Sequence, residues 1–148
     1  MLIKELIVFE ALKIEPSEIE LAKHSKSPQT LDSLYKLTNH KFKLRFLYSL
    51  AGNTYSPKSV LEELSNHEYW GVRINVARNP KCPAEILDKL SSDPDTDVRL
   101  AVAHSYNCTL GVLQKLSNDN YISVRLAAND TSYRIGSAKG KAFENSSR

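Results

Sequence analysis

Two cysteines in 148 residues are too few to staple a fold, and at 26 positions apart Cys82 and Cys108 form no C-x-x-C metal spacing. The five glycines, Gly52, Gly71, Gly111, Gly136 and Gly140, stand singly, so no glycine-rich loop is present to cradle a phosphate. The four histidines, His24, His40, His67 and His104, share no ligand spacing. No serine sits in a nucleophile motif. No apolar run approaches the roughly 20 residues that a membrane helix requires. Glu5, Glu10 and Glu15 interrupt the opening segment, which does not read as a secretory leader. Neither sign of charge dominates, because 20 basic against 17 acidic residues leave +3, a weak pull on nucleic acid or an anionic membrane. These absences predict a non-catalytic, cytoplasmic chain with no metal, no cofactor and no membrane contact. A hydrophobic share of 41% with 25% charged residues is the composition of a folded domain, which excludes collagen and wholesale disorder.

What the sequence does contain is an interval. Val72-Arg73, Val98-Arg99 and Val124-Arg125 recur every 26 residues, and Pro57, Pro83 and Thr109 repeat at the same step. So do Leu61, Leu87 and Leu113, and Leu64, Leu90 and Leu116. Leu34 and Leu37 lie 27 residues before Leu61 and Leu64, which marks a degenerate earlier copy. Each unit reads as two short helices. The first runs PKSVLEELS, PAEILDKLS or TLGVLQKLS, opened by proline or a hydroxyl, with apolar residues at helical offsets. The second reads GVRINVA, DVRLAVA or SVRLAA, with Val98, Ala101 and Val102 on one face. One unit of this length cannot bury its own apolar stripes, so neighbours must stack. The fold expected is all-α: a right-handed α-solenoid of about four 26-residue two-helix repeats with an N-terminal helical cap. Ala51, Ala77 and Ala103 would let consecutive layers approach closely.

The stretch NPKCPAEILDKLSSDPDTDVRLAVA (79–103) resembles the leucine-rich repeat variant family, and the likeness extends from about 30 to 131. That family is similar to HEAT and armadillo repeats with shorter units, often a full helix alternating with a tighter 3₁₀-like one. The resemblance implies a fold and almost no chemistry. The cysteine-rich iron–sulfur segment associated with the family has no counterpart in this chain. Two departures stand out: residues 103–107 read AHSYN instead of A-x-N-P, and the first copy offers either Arg45 or Leu47 at the arginine position.

Four sets of residues are candidates for function. Asp93 with Arg99, and Asp119 with Arg125, lie six apart, as do His67 with Arg73 and Asn39 with Arg45. They are expected to form a structural ladder, each arginine bonding an acceptor in its own or the next repeat's turn. Tyr69, Trp70, Tyr121 and Ile122 fall in turns between paired helices, which face water. They form a candidate partner-binding strip, since Tyr and Trp anchor interfaces; the competing reading tucks Trp70 and Phe42 between repeats. Tyr55, Tyr106 and Tyr133 add rings near the opposite turns. Lys41, Lys43, Arg45 and Arg73 are the alternative set, phosphate contacts for a nucleic-acid-binding module, but acidic residues interrupt that stripe. Cys82 and Cys108 occupy equivalent positions in stacked units. Helices 8–10 Å apart hold such thiols beyond disulfide reach, so both should be free fillers.

Residues 1–24 depart from the interval and read as the cap, 25–133 as the repeat solenoid, and 134–148 as a polar, flexible tail. A flexible tail leaves the last repeat open from Tyr121 to Asn129. Protein–protein recognition, as a small adaptor, scaffold or inhibitory module, is the expected function. Self-association or docking through that open end is the accompanying expectation.

Overall fold

Each unit folds as the pair of short helices that its apolar spacing predicts. The computed structural model describes residues 16–37 and 44–146. Its helices are α1 (Pro16–His24), α2 (Pro28–Leu37), α3 (Leu44–Gly52), α4 (Lys58–Leu64), α5 (Trp70–Arg78), α6 (Ala84–Leu90), α7 (Thr96–Ala103), α8 (Leu110–Leu116) and α9 (Ile122–Ser146). No strand occurs among the described residues. The alternation with 3₁₀-like segments that the family resemblance implies is absent among the described residues. Both helices of a unit are α-helical, the first kind reduced to two turns of seven residues in α4, α6 and α8.

The boundaries follow from side-chain chemistry at each end. Pro57, Pro83 and Thr109 sit at the N-cap with extended backbone, one position before the first helical turn that the proline pattern indicates. Thr109 also accepts a hydrogen bond from the Val112 N–H, satisfying one of the unpaired donors of a helix start. At the other end Ser65, Ser91 and Ser117 donate their hydroxyls to the carbonyls of Glu62, Asp88 and Gln114. The turn to the second helix is then fixed by the residue two positions later. His67 Nδ1, Asp93 Oδ1 and Asp119 Oδ1 accept from the backbone N–H of Tyr69, Asp95 and Tyr121 at 3.1, 2.9 and 2.9 Å. That is the Asx-turn geometry for which short acceptor side chains are suited.

The second helices form one row, α1 against α3, α3 against α5, α5 against α7 and α7 against α9. On the other side of the core α4, α6 and α8 each bridge the two second helices that flank them. A continuous apolar core runs from Ala22 to Ala128, with Val60, Leu61 and Leu64 repeated as Ile86, Leu87 and Leu90 and again as Val112, Leu113 and Leu116. Ala51, Ala77 and Ala103 are fully buried where the second helices approach one another. Truncating one of the central leucines, such as Leu87, would cost about 2–5 kcal/mol, since transfer and cavity terms add.

The ends differ from the sequence expectations. Residues 1–15 of the expected cap lie outside the described residues, and Pro16–His24 takes the place of a second helix in the row. Residues 134–146, expected as a flexible tail, continue α9 as helix to Ser146. No Asn-Pro stop follows Ala128, and Ala, Lys and Glu favour the helical backbone enough to carry it past Gly136 and Gly140. The side chains of Thr131 and Ile135 pack toward the core, and the Arg134 guanidinium lies 4.8 Å over the Tyr106 ring.

Candidate functional site

Three ladders hold successive units in register, and only the arginine set was foreseen. Arg99 Nε and Nη2 reach the two carboxylate oxygens of Asp119 at 2.7 and 3.2 Å, while Nη1 donates to the Asp93 carbonyl at 2.8 Å. Arg73 repeats the arrangement one unit earlier, with Asp93 at 2.7 and 2.9 Å and the His67 carbonyl at 2.8 Å. The residue six positions before each arginine therefore contributes its carbonyl, and the carboxylate comes from the next unit's turn. Bidentate pairing of this kind fixes geometry as well as charge. Both pairs are largely buried. The Arg99 hydrogen bonds are the main reason that the Asp119 carboxyl is held below its ordinary value of 3.8.

The first copy breaks this ladder. Leu47, buried, takes the arginine position 26 residues before Arg73, and Arg45 points to solvent. Lys41, Lys43 and Phe42 lie outside the described residues. The guanidinium of Arg73 is committed to Asp93 and to two carbonyls, whereas Arg45 is exposed.

An asparagine ladder went unread in the sequence. Asn79 Nδ2 donates to the carbonyls of Ala51 and Asn53 at 2.7 and 2.9 Å, and its Oδ1 accepts from the Lys81 N–H. Asn53 does the same toward Ala22 and Ser25 at 2.8 and 2.9 Å. Their 26-residue spacing was the available signal. In the third unit Ser105 stands at that position, and Asn107 instead bonds the carbonyls of Pro80 and Cys82. A lysine ladder also runs on the first-helix side, Lys89 Nζ to Ser65 Oγ and Lys115 Nζ to Ser91 Oγ, both at 2.8 Å.

The aromatic strip resolves into two separate patches. Trp70 is 43% exposed and packs on Tyr69, ring centroids 5.6 Å apart, and Tyr69 leans on Tyr48 at 6.3 Å. Gly71 makes this cluster possible, because a Cβ there would stand 2.6 Å from the Tyr48 hydroxyl. Burial and a hydrogen bond with Tyr69 push the Tyr48 phenol above its usual 10.0. Beside the cluster a groove of about 440 Å³ runs between α5 and α7, with Ile74 and Leu100 as apolar lining and Arg78, Asn75 and Asp97 as polar groups. Tyr121 and Ile122 are exposed two units further along, with Tyr121 against the Arg99 guanidinium at 5.7 Å. The polar Asp95–Thr96 turn lies between the patches, where Asp95 caps α7 through the N–H groups of Asp97 and Val98.

Cys82 and Cys108 are free and buried. Burial pushes their thiols up to about 12 and about 11. Among the described residues no cluster of three or more His, Cys, Asp and Glu side chains could hold a metal ion, and no helix is long and apolar enough to cross a membrane.

Paired helices stacked against their neighbours, with ladders between them, are consistent with a helical-repeat fold. Residues 70–95, one unit from Trp70 through α6 to Asp95, match the family model of the leucine rich repeat variant. No curated protein and no solved structure matches the chain.

Proposed function

We propose that this chain is a non-catalytic protein-interaction module acting in the cytoplasm as an adaptor, scaffold or inhibitory binding protein. In this reading residues 25–133 form a right-handed α-solenoid of about four 26-residue units, capped at the N-terminal end by the segment 1–24. The second-helix row presents the binding surface, with Trp70, Tyr69 and Tyr48 as anchors and the α5–α7 groove receiving the partner's side chains. Tyr121 and Ile122 form a second contact area at the far end.

The single observation that carries this reading is the Tyr48–Tyr69–Trp70 cluster, three large rings held together at a surface beside an open groove. An indole 43% exposed forgoes burial that a purely structural role would use, and rigid aromatic residues dominate the energetics of interfaces. The match at residues 70–95 to a helical-repeat family supports the same class. Two buried free thiols accord with a reducing compartment.

The test is affinity capture from the native cell with the full chain and its Trp70→Ala variant, followed by titration of the captured partner. Trp70→Ala should weaken binding about tenfold or more, a hot-spot loss near 1.4 kcal/mol or above, with little change in unfolding midpoint. A variant that unfolds while its folded fraction binds normally would assign Trp70 to packing and remove the reading.

A further inference from the structure

The arginine and lysine ladders both run out at the α8–α9 end, and an apolar row ends there with them. Arg125 keeps half of the ladder geometry, Nη1 donating to the carbonyls of Asp119 and Asn120 at 2.8 and 3.0 Å as Arg99 does to Asp93 and Pro94. Among the described residues no carboxylate meets its Nε and Nη2 edge, which in Arg73 and Arg99 takes the aspartate of the following unit. Ser117 donates to the Gln114 carbonyl as Ser91 does to Asp88, but no described lysine reaches it. Leu126 stands 26 residues beyond Leu100 and 52 beyond Ile74. Ile74 is 7% exposed and Leu126 63%.

In every filled rung the incoming unit supplies a lysine and, four residues later, an aspartate: Lys89 with Asp93, and Lys115 with Asp119. We propose that the α8–α9 end is a docking surface for a separate polypeptide that carries Lys-x-x-x-Asp across the end of a short helix. Its aspartate closes on the preset fork of Arg125, its lysine on Ser117, and its apolar face covers Leu126 and Ile122.

The chemistry selects against the two nearer occupants. A second copy stacking head to tail offers no Lys-x-x-x-Asp pair in register, since the positions at successive intervals before Lys89 and Asp93 hold Glu63 and His67, then Leu37 and Lys41, then Ala11 and Glu15. The chain's own Glu144 belongs to the same helix as Arg125, 19 residues on, which is about 28 Å along a helix axis. Asp130 already faces Arg134 at 3.7 Å. This docking extends the interaction-module reading to a second surface and does not depend on Trp70, so the two fail separately.

The probe is a synthetic peptide of residues 79–104, which carries Lys89 and Asp93, titrated into the isotopically labelled full chain. The Arg125 Nε–Hε signal and the Ser117 amide should shift and saturate. Binding should weaken about fivefold or more with Asp93→Asn or Lys89→Met in the peptide, or Arg125→Gln in the chain, and should persist in Trp70→Ala. Absence of any shift at Arg125 up to the solubility limit overturns the proposal, as does a shift indifferent to Asp93→Asn. A dimer in sedimentation that Arg125→Gln dissolves would give the end to a second copy. Tighter peptide binding after truncation at Ser137 would give it to the chain's own C-terminal segment. Either result also overturns the proposal.

Discussion

The side-chain amide of Asn79 lies 2.7 Å from the carbonyl of Ala51, 28 residues earlier, and both groups are buried. The Ala51 carbonyl belongs to the last turn of α3, where helix carbonyls have no partner of their own. Asn79 thus ties the end of one second helix to the end of the next. Asn79→Ala removes this bond and the one to Asn53, stranding the buried Ala51 carbonyl while the Asn53 carbonyl keeps the Ser56 N–H. The expected loss is about 1–3 kcal/mol, the range for one stranded buried group. Asn107→Ala, at an exposed position, should cost less than about 1 kcal/mol. Urea unfolding of the two variants side by side checks the contrast.

The Arg99–Asp119 pair makes stability depend on acid. Asp119 titrates below its ordinary 3.8 in the folded chain, chiefly because Arg99 hydrogen-bonds it. A group whose folded value is depressed contributes stability above the unfolded pKa and loses it as pH falls through the folded one. Asp119→Asn should therefore destabilise by about 1.5–3 kcal/mol at neutral pH, the range for hydrogen bonds to a charged group. The difference from the parent chain should stay flat down to about pH 4 and shrink below it, since a free aspartate titrates near 3.9. Denaturant titrations between pH 2 and pH 7 give the profile. A difference that widens on acidification would contradict the pairing.

The sequence made the stacking legible and left the bonding partners illegible, for reasons visible in particular residues. The leucine rows needed only counting, because burial repeats wherever the chain repeats. The arginines read as a ladder to acceptors in their own or the next turn, and both are used: a carbonyl from their own turn and a carboxylate 20 residues ahead. The asparagine ladder is broken by Ser105 after two members, too few for an interval to show. Leu47 hid the register of the first copy, since the nearby Arg45 looked like the missing arginine. The course of α9 depends on an absent stop signal, and low apolar content reads as flexibility where helix propensity decides.

The two cysteines offer a probe of global opening. Their thiols are buried and pushed up to about 12 and about 11, so at pH 8 the thiolate fraction is on the order of one in a thousand or less. An aromatic disulfide reagent should leave both unmodified in the native chain and react with both in denaturant. The native reaction rate should then follow the population of opened molecules. Asp119→Asn and Asn79→Ala should accelerate it about tenfold for each 1.4 kcal/mol of stability they lose. Prompt reaction of either thiol in the parent chain would show that the packing around α6 or α8 is looser than described.

Gly71 separates the aromatic cluster from the fold that carries it. In most helices a glycine replaced by alanine gains about 1 kcal/mol. Here the added methyl would stand 2.6 Å from the Tyr48 hydroxyl and 3.0 Å from the Tyr69 ring, so one of them must move. The Tyr48 hydroxyl is the far end of a half-buried side chain, so a rotamer change can carry it away from the added methyl. The propensity gain and the displacement cost should therefore nearly cancel, leaving stability within about 1 kcal/mol of the parent. The cluster itself should not survive. Near-ultraviolet dichroism and Trp70 fluorescence should change in Gly71→Ala while the helical signal stays the same. Partner affinity should fall as it does in Trp70→Ala, because binding requires the rings in their present arrangement. If affinity were unchanged once the cluster is disrupted, the recognition surface would lie elsewhere on the row of second helices.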